Sequence, residues 1–356
     1  MADGAPGFDR SLPLEQVWSR VHARVTPLEW ETHRPLIEEI RRLKAERGAV
    51  ILAHNYMTPE IFHGVGDYVG DSLGLAKEAA KSNAKVIVQA GVHFMAETSR
   101  ILSPDKTVLI PDPLAGCSLA SSITGTDVRL IKQRYPGLPV VTYVNTTADV
   151  KAETDICCTS ANAVQVVEWA AREWGVDRVI LIPDEYLARN VAAQTKVGII
   201  AWRGRCEVHE RFTADDVAEM RAAWPGAEIL AHPECPEDVL AAVEPAKSAA
   251  MSDYVSARKP KQVVMITECS MASNVAGDVP GVQFIGPCNL CPHMKRITLE
   301  NIRDCLVHMQ FEVTVPEDMA ERARLAVQRM IDLPPPAVPA RYDLVKARHH
   351  VAVELI

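Results

Sequence analysis

The sequence predicts an α/β protein built from three homologous units with parallel sheets, arranged with pseudo-threefold symmetry. Two observations carry this. The first is a weak repeat: VLIPDPLAGC, VGIIAWRGRC and VQFIGPCNLC each open on a valine (Val108, Val197, Val282) and reach a cysteine nine residues later, at Cys117, Cys206 and Cys291. Those cysteines lie 89 and 85 residues apart, and Ser72, Ser160 and Ser248 repeat at 88 and 88. The second is alternation, since every repeat reads strand, helix, strand, helix, strand, then cysteine, and such alternation argues for parallel sheets covered by helices.

The elements follow in chain order. Residues 1–34 read as a helical lead-in. The first unit, 35–120, opens with the apolar run AVILAHNY, continues through the helical GDSLGLAKEA and the strand in IVQAGVHFMAE, and closes at Cys117. The second, 121–208, does the same with PVVTYVNT, TSANAVQVVEWA and VILIPDEYLARN, closing at Cys206; the third, 209–300, uses AEILAHPE, KSAAMSDYV and VVMITECSMASN, closing at Cys291. Ser72, Ser160 and Ser248 each stand where a helical pattern begins, and a serine hydroxyl there can cap free backbone N–H groups. Residues 301–356 give a C-terminal helix, a stiff proline-rich stretch LPPPAVPARYDL, and a tail that reads as packed on a neighbour or lying on the surface.

Composition narrows the function. The 356 residues include 38 basic and 46 acidic side chains, a net charge of -8, and 48% hydrophobic residues. That balance gives no basic footprint for nucleic acid or an acidic membrane surface. No apolar stretch is long enough to span a bilayer, and no basic start followed by an apolar core suggests export. The reading is cytoplasmic.

Nine cysteines without an export signal argue for reduced thiols, some buried and some metal-bound, over a disulfide framework. The one C-x-x-C, Cys288 with Cys291, lacks the second pair or the His spacing of a zinc ribbon. Packing of three equivalent units would bring Cys117, Cys206 and Cys291 to one point, which suits an iron-sulfur cluster on three thiolates. Cys288 has no counterpart in the other units and could close a disulfide with Cys291 on oxidation. Cys157, Cys158, Cys235, Cys269 and Cys305 match nothing across repeats and read as structural. In parallel sheets ligands bind beyond the strands' carboxyl ends. There the repeats offer His54 to Tyr56, Tyr143 to Asn145 and His232 to Glu234, a pool able to hold and release protons. Phe94 and Met95 serve a cavity wall or the core equally well. His209, three residues after Cys206, could orient the ligand set.

At these residues the chain closely resembles the quinolinate synthase family, iron-sulfur enzymes of NAD biosynthesis. The resemblance rests on ILAHNY, GDSLGLA, GVHFMAE, YVNTTADVKAETDICCTSANA, AHPECP and MKRITLEN, spread over most of residues 35 to 330. It implies three three-layer α/β/α units around a central active-site cavity and a 4Fe-4S cluster on Cys117, Cys206 and Cys291. An open iron position would act as a Lewis acid. It further implies condensation of iminoaspartate with dihydroxyacetone phosphate to quinolinate, phosphate and water. By resemblance, His54, Tyr143, Asn145, His232 and Glu234 face the substrates, and Ser72, Ser160 and Ser248 bind their anionic groups. Ala249 and His209 complete the binding set. Tyr56, Tyr143, Glu234 and His232 are the catalytic candidates. L-aspartate oxidase, which makes the unstable imine, is the protein partner the pathway suggests, and the chain would act as monomer or homodimer.

One departure stands out: the family's Gly-Ser-Thr at the third helix start is Lys247, Ser248 and Ala249 here. Losing the threonine hydroxyl removes a donor to a substrate anion. The rival readings are a radical S-adenosylmethionine enzyme, which needs three closely spaced cysteines, a structural zinc protein, and a non-enzymatic iron-sulfur or thiol redox sensor. The sensor has no use for Tyr143, Glu234 or the serines.

Overall fold

A computed structural model of the chain describes residues 12–243, 251–334 and 352–356. Among them lie three sheets in which every strand pair is parallel. The first sheet has β1 (Ala49–His54), β2 (Tyr68–Gly70), β3 (Val86–Ala90) and β4 (Thr107–Leu109) in the order β2-β1-β3-β4. The second takes β5 (Val140–Tyr143), β6 (Ile156–Cys158), β7 (Arg178–Ile182) and β8 (Gly198–Ala201). The third takes β9 (Glu228–Ala231), β10 (Gln262–Ile266) and β11 (Gln283–Ile285) in the order β11-β10-β9. With β12 (Val353–Leu355) added, the second sheet runs β12-β8-β7-β5-β6. The parallel α/β class is therefore the observed one.

Central strands such as β3 and β5 are buried along their whole length. Parallel strands covered by helices on both faces need no polar side, which is why their sequences are continuous Val/Ile/Leu runs without alternation. One core cluster in the second sheet gathers Val128, Val140, Ile180, Ile182 and Ile200, and another in the third gathers Ile229, Ala231, Val239, Val264 and Ile266.

The chain forms two compact units. The first contains the chain up to Gly116 with Ser270–Pro280 and Leu290–Val315; the second contains Cys117–Cys269, Gly281–Asn289 and the chain from Pro316. In the first, helices Leu14–Val21 and Pro27–Arg47 precede β1, and the second of these runs on through Pro35 and so past residue 34. A Thr26/Glu29 capping box starts it. Gly48, at a φ of 59°, ends it in the left-handed conformation that glycine adopts without strain.

Three sequence expectations are corrected. Strands β2 and β6 are extra elements, three residues each, too short to show a period. Ser72 is the first helical residue, not the cap: Asp71 holds that place and its carboxylate accepts from Gly74 N–H. Ser160 lies in a turn before the helix Ala163–Trp174, whose cap residue is Asn162. At the first place the Asp71 carboxylate takes the backbone donor a serine would have capped. At the second, Asn162 Oδ1 turns back to accept from Thr159 N–H and hydroxyl, so the turn holding Ser160 is closed before the helix begins.

The tail also differs. Residues 353–355 join β8 as an edge strand, so the chain end completes a sheet of its own unit. Ile356 packs against the second-sheet core, and the Tyr135 hydroxyl donates to Glu354. Lys247, Ser248 and Ala249 lie outside the described residues, as do His349, His350 and most of the proline-rich stretch.

Candidate active site

In the second unit, the carboxyl ends of β5 and β9 and the loop after β8 present the predicted residues. Tyr143 ends β5, His232 follows β9, and Glu234 comes two residues later. The Tyr143 hydroxyl donates to Glu234 Oε1. On the other oxygen, His209 Nδ1 lies 2.9 Å from Glu234 Oε2 and 3.2 Å from Cys206 Sγ, while its Nε2 lies 3.1 Å from Thr267 Oγ1. The His232 ring stacks on His209 with centroids 4.3 Å apart, and its Nδ1 accepts from the Glu234 N–H. Glu234, Tyr143 and His209 are all buried. A buried carboxylate survives only when hydrogen-bonded and charge-compensated. Here burial opposes ionisation, but His232, His209 and the Tyr143 hydroxyl outweigh it and hold Glu234 below the usual carboxylate range.

His232 is pushed down to about 3, first by burial and then by His209, against the pull of Glu234. The folded chain thus keeps this ring neutral, whereas an unfolded histidine protonates near 6.5. The associated stability is whole above about pH 6.5 and is lost as pH falls toward 3; the lowered carboxyl of Glu234 adds a loss in the same direction below its ordinary value. Unfolding free energy, measured by denaturant titration between pH 7.5 and 5.5, should fall below pH 6.5. The slope from His232 alone approaches about 1.4 kcal/mol per pH unit at most. A flat profile would contradict this assignment.

The Cys206 loop is fixed from two sides. Ser118, next to Cys117, donates to Arg205 O and accepts from Glu207 N–H, each at 3.1 Å, so one hydroxyl brackets Cys206. Gly204 pairs with Asp184 as an isolated bridge, and a Cβ there would sit 2.4 Å from Pro183 O, so only glycine allows the approach. Burial, then the charges of Glu234 and Cys117, push the Cys206 thiol well up. Asp184, buried, caps the helix Glu185–Ala192 through Leu187 N–H, and burial with the Glu234 charge pushes its own carboxyl up. Neither Asp184 nor Thr267 was found from sequence. Asn145 and Ser160 lie half-buried in this unit.

The first unit holds the rest. His54 ends β1 and accepts Tyr56 N–H on Nδ1 at 3.1 Å, with the two rings edge to face at 4.7 Å. The ammonium of Lys295 donates to Tyr56 O and to Ser270 Oγ. Ser72 and Cys291 are half-buried, and Phe94 and Met95 are buried on the helix His93–Leu102.

Cysteine pairing differs from the expectation in one respect. Cys288 bonds to Cys269, at the start of the helix Cys269–Asp278, and not to Cys291. The two are 19 residues apart, separated by that helix and by β11, and no cross-repeat register marks Cys269. Cys157, Cys158, Cys235 and Cys305 are buried thiols.

The donor set fits a metal group. Cys206 Sγ, His209 Nδ1 and a Glu234 oxygen lie within 4.8 Å of one another, with Cys117 close enough for its charge to act on Cys206. Soft thiolate ligands suit iron-sulfur clusters. A thiol, an imidazole and a carboxylate thus converge at the strand ends of a parallel α/β fold, a donor set able to hold a metal. Residues 38–332 match the family described as Quinolinate synthetase A protein. The chain is 77% identical over 341 residues to a Caulobacter vibrioides protein named Quinolinate synthase, covering 96% of this chain and 93% of that one. It is 61% identical over 316 residues to Quinolinate synthase 1 of Mesorhizobium japonicum, covering 88% and 96%. With Quinolinate synthase of Xylella fastidiosa the figures are 62% over 296 residues, 83% and 86%. This chain belongs to the quinolinate synthase family. No helix among the described residues is long and apolar enough to cross a membrane.

Proposed function

We propose that the chain condenses iminoaspartate with dihydroxyacetone phosphate to give quinolinate, phosphate and water. The observation that supports this most is the buried Tyr143–Glu234–His209 hydrogen-bonded chain beside Cys206 Sγ. It gives a carboxylate, a phenol and two imidazoles for proton transfer in a family whose relatives carry the name quinolinate synthase. Cys117, Cys206 and Cys291 would hold a 4Fe-4S cluster, which when bound supplies a Lewis-acidic iron to a substrate oxygen or nitrogen. The remaining chemistry falls to side chains. Glu234, kept ionised, takes a proton from carbon or nitrogen at one carboxylate oxygen. Tyr143 and Tyr56 act as acids through their hydroxyls, and neutral His232 orients Glu234 through its N–H. His54, Asn145, Ser72, Ser160 and Ser248 meet carboxylate and phosphate oxygens, with Ala249 in place of a donor.

The three-unit division at 35–120, 121–208 and 209–300, the cytoplasmic location and an exchange of imine with L-aspartate oxidase belong to the same reading. The redox-sensor alternative loses its Cys288–Cys291 switch to the Cys269 pairing and leaves the buried proton chain without a purpose. The test is to purify the full chain without oxygen and supply iminoaspartate and dihydroxyacetone phosphate. Quinolinate should appear only with both substrates present. Iron- and sulfide-loaded protein that makes none would sink the proposal.

A further inference from the structure

The three strand-end loops share a register, His54-Asn55-Tyr56, Tyr143-Val144-Asn145 and His232-Pro233-Glu234. In each, the carbonyls on either side of the third residue meet one buried side-chain donor. Asn274 Nδ2 donates to Asn55 O at 3.0 Å and Met57 O at 2.8 Å, bracketing Tyr56. The Lys151 ammonium donates to Val144 O at 2.9 Å and to Thr146 O, bracketing Asn145. Asn190 Nδ2 donates to Pro233 O at 2.6 Å and Cys235 O at 3.3 Å, bracketing Glu234. These donors are 1%, 0% and 3% exposed. We propose that Asn274, Lys151 and Asn190 are positioning residues, each a carbonyl clamp that fixes how one loop presents Tyr56, Asn145 or Glu234. The proposal rests on the function above for what those three residues do.

The chemistry of the donors supports the assignment. Bridging two carbonyls takes at least two protons on one group, which an amide nitrogen or an ammonium has and a hydroxyl lacks. Asn190 and Asn274 stand at the same place in VILIPDEYLARN and VVMITECSMASN, twelve residues into each run. The first repeat has Thr98 there, in IVQAGVHFMAET, and its single proton goes to Phe94 O of its own helix at 2.7 Å. The loop of Asn145 is served instead by Lys151, from a different helix, Ala148–Ala152. Two-proton donors thus recur wherever a loop needs one, even where the repeat register does not supply it. The amides also leave the loop N–H groups to the strand-end rings, His54 taking Tyr56 N–H and His232 taking Glu234 N–H.

The test compares Asn274→Leu, Lys151→Met and Asn190→Leu with Lys151→Arg, which keeps several donors, and with Thr98→Val as a buried control. All are full-length holoproteins prepared without oxygen. Amide hydrogen exchange read by mass spectrometry should speed up by about tenfold or more in the peptide of the affected loop alone. Kinetics should split: Lys151→Met raises KM for a substrate, Asn190→Leu and Asn274→Leu lower kcat, and Lys151→Arg recovers part of the loss. If a leucine variant fails to fold, Asn190→Asp or Asn274→Asp, of equal volume, takes its place. Exchange that rises evenly along the chain, or variants indistinguishable from Thr98→Val, would overturn the clamps. Should the wild type make no quinolinate, the exchange arm still decides for or against them.

Discussion

Alanine at Cys117, Cys206 or Cys291 is expected to strip the anaerobically purified protein of iron and acid-labile sulfide, from about four of each per chain to near none. Cys288→Ala should retain both, because its sulfur is committed to Cys269 and not to Cys291. The expectation for Cys206 follows from electrostatics. Burial, Glu234 and Cys117 all disfavour its thiolate, so the loop is held in a state that a cation relieves. Metal binding must then release a proton, and iron loading should weaken as the solution is made more acid. Ser118 links two of the proposed ligands, since its hydroxyl joins the backbone beside Cys117 to both neighbours of Cys206. Equal dependence on Cys288, or zinc without sulfide, would require the ligand set to be reassigned.

What could be read from sequence was whatever recurs. The valine-to-cysteine spacing located β4, β8 and β11, and the polar ends of β1 and β5 pointed to His54 and Tyr143 because continuous apolar runs stop abruptly there. Strands β2 and β6, three residues each, carry no period and lie outside the valine-to-cysteine spacing that located the equally short β4 and β11, and so were missed. The capping serines were misplaced by one residue at Ser72, where Asp71 takes the backbone donor, and by more at Ser160, which lies in a turn that Asn162 closes onto Thr159. The Cys269–Cys288 bond joins positions that no repeat relates. Lys151 was hidden for another reason: within VKAE it reads as a solvated helix charge, and only the fold shows it wholly buried on two carbonyls. Long-range partnership between a helix and a strand-end loop leaves no local signature.

Glu234→Gln is expected to lower kcat for quinolinate formation by about a hundredfold or more while KM changes little. The carboxylate accepts on both oxygens, from the Tyr143 hydroxyl on one and from His209 Nδ1 on the other, and it is held ionised in a buried site. Glutamine keeps the shape but cannot take a proton, and its NH2 end must face one of those two donors. Either Tyr143 turns its hydroxyl to accept, or His209 shifts its proton to Nε2 and gives up donation toward the site. The two rearrangements can be told apart. In the first, Tyr143→Phe added to Glu234→Gln should cost little further activity, because the phenol has already lost its acceptor. In the second, Thr267→Val added to Glu234→Gln should cost further activity, since Thr267 Oγ1 is the partner on Nε2. His232, stacked on His209, is pushed down to about 3 by burial and so stays neutral near neutral pH, and its own charge does not change there. The loss should therefore be independent of pH in that range, and a Glu234→Gln protein with wild-type kcat would remove Glu234 as the base.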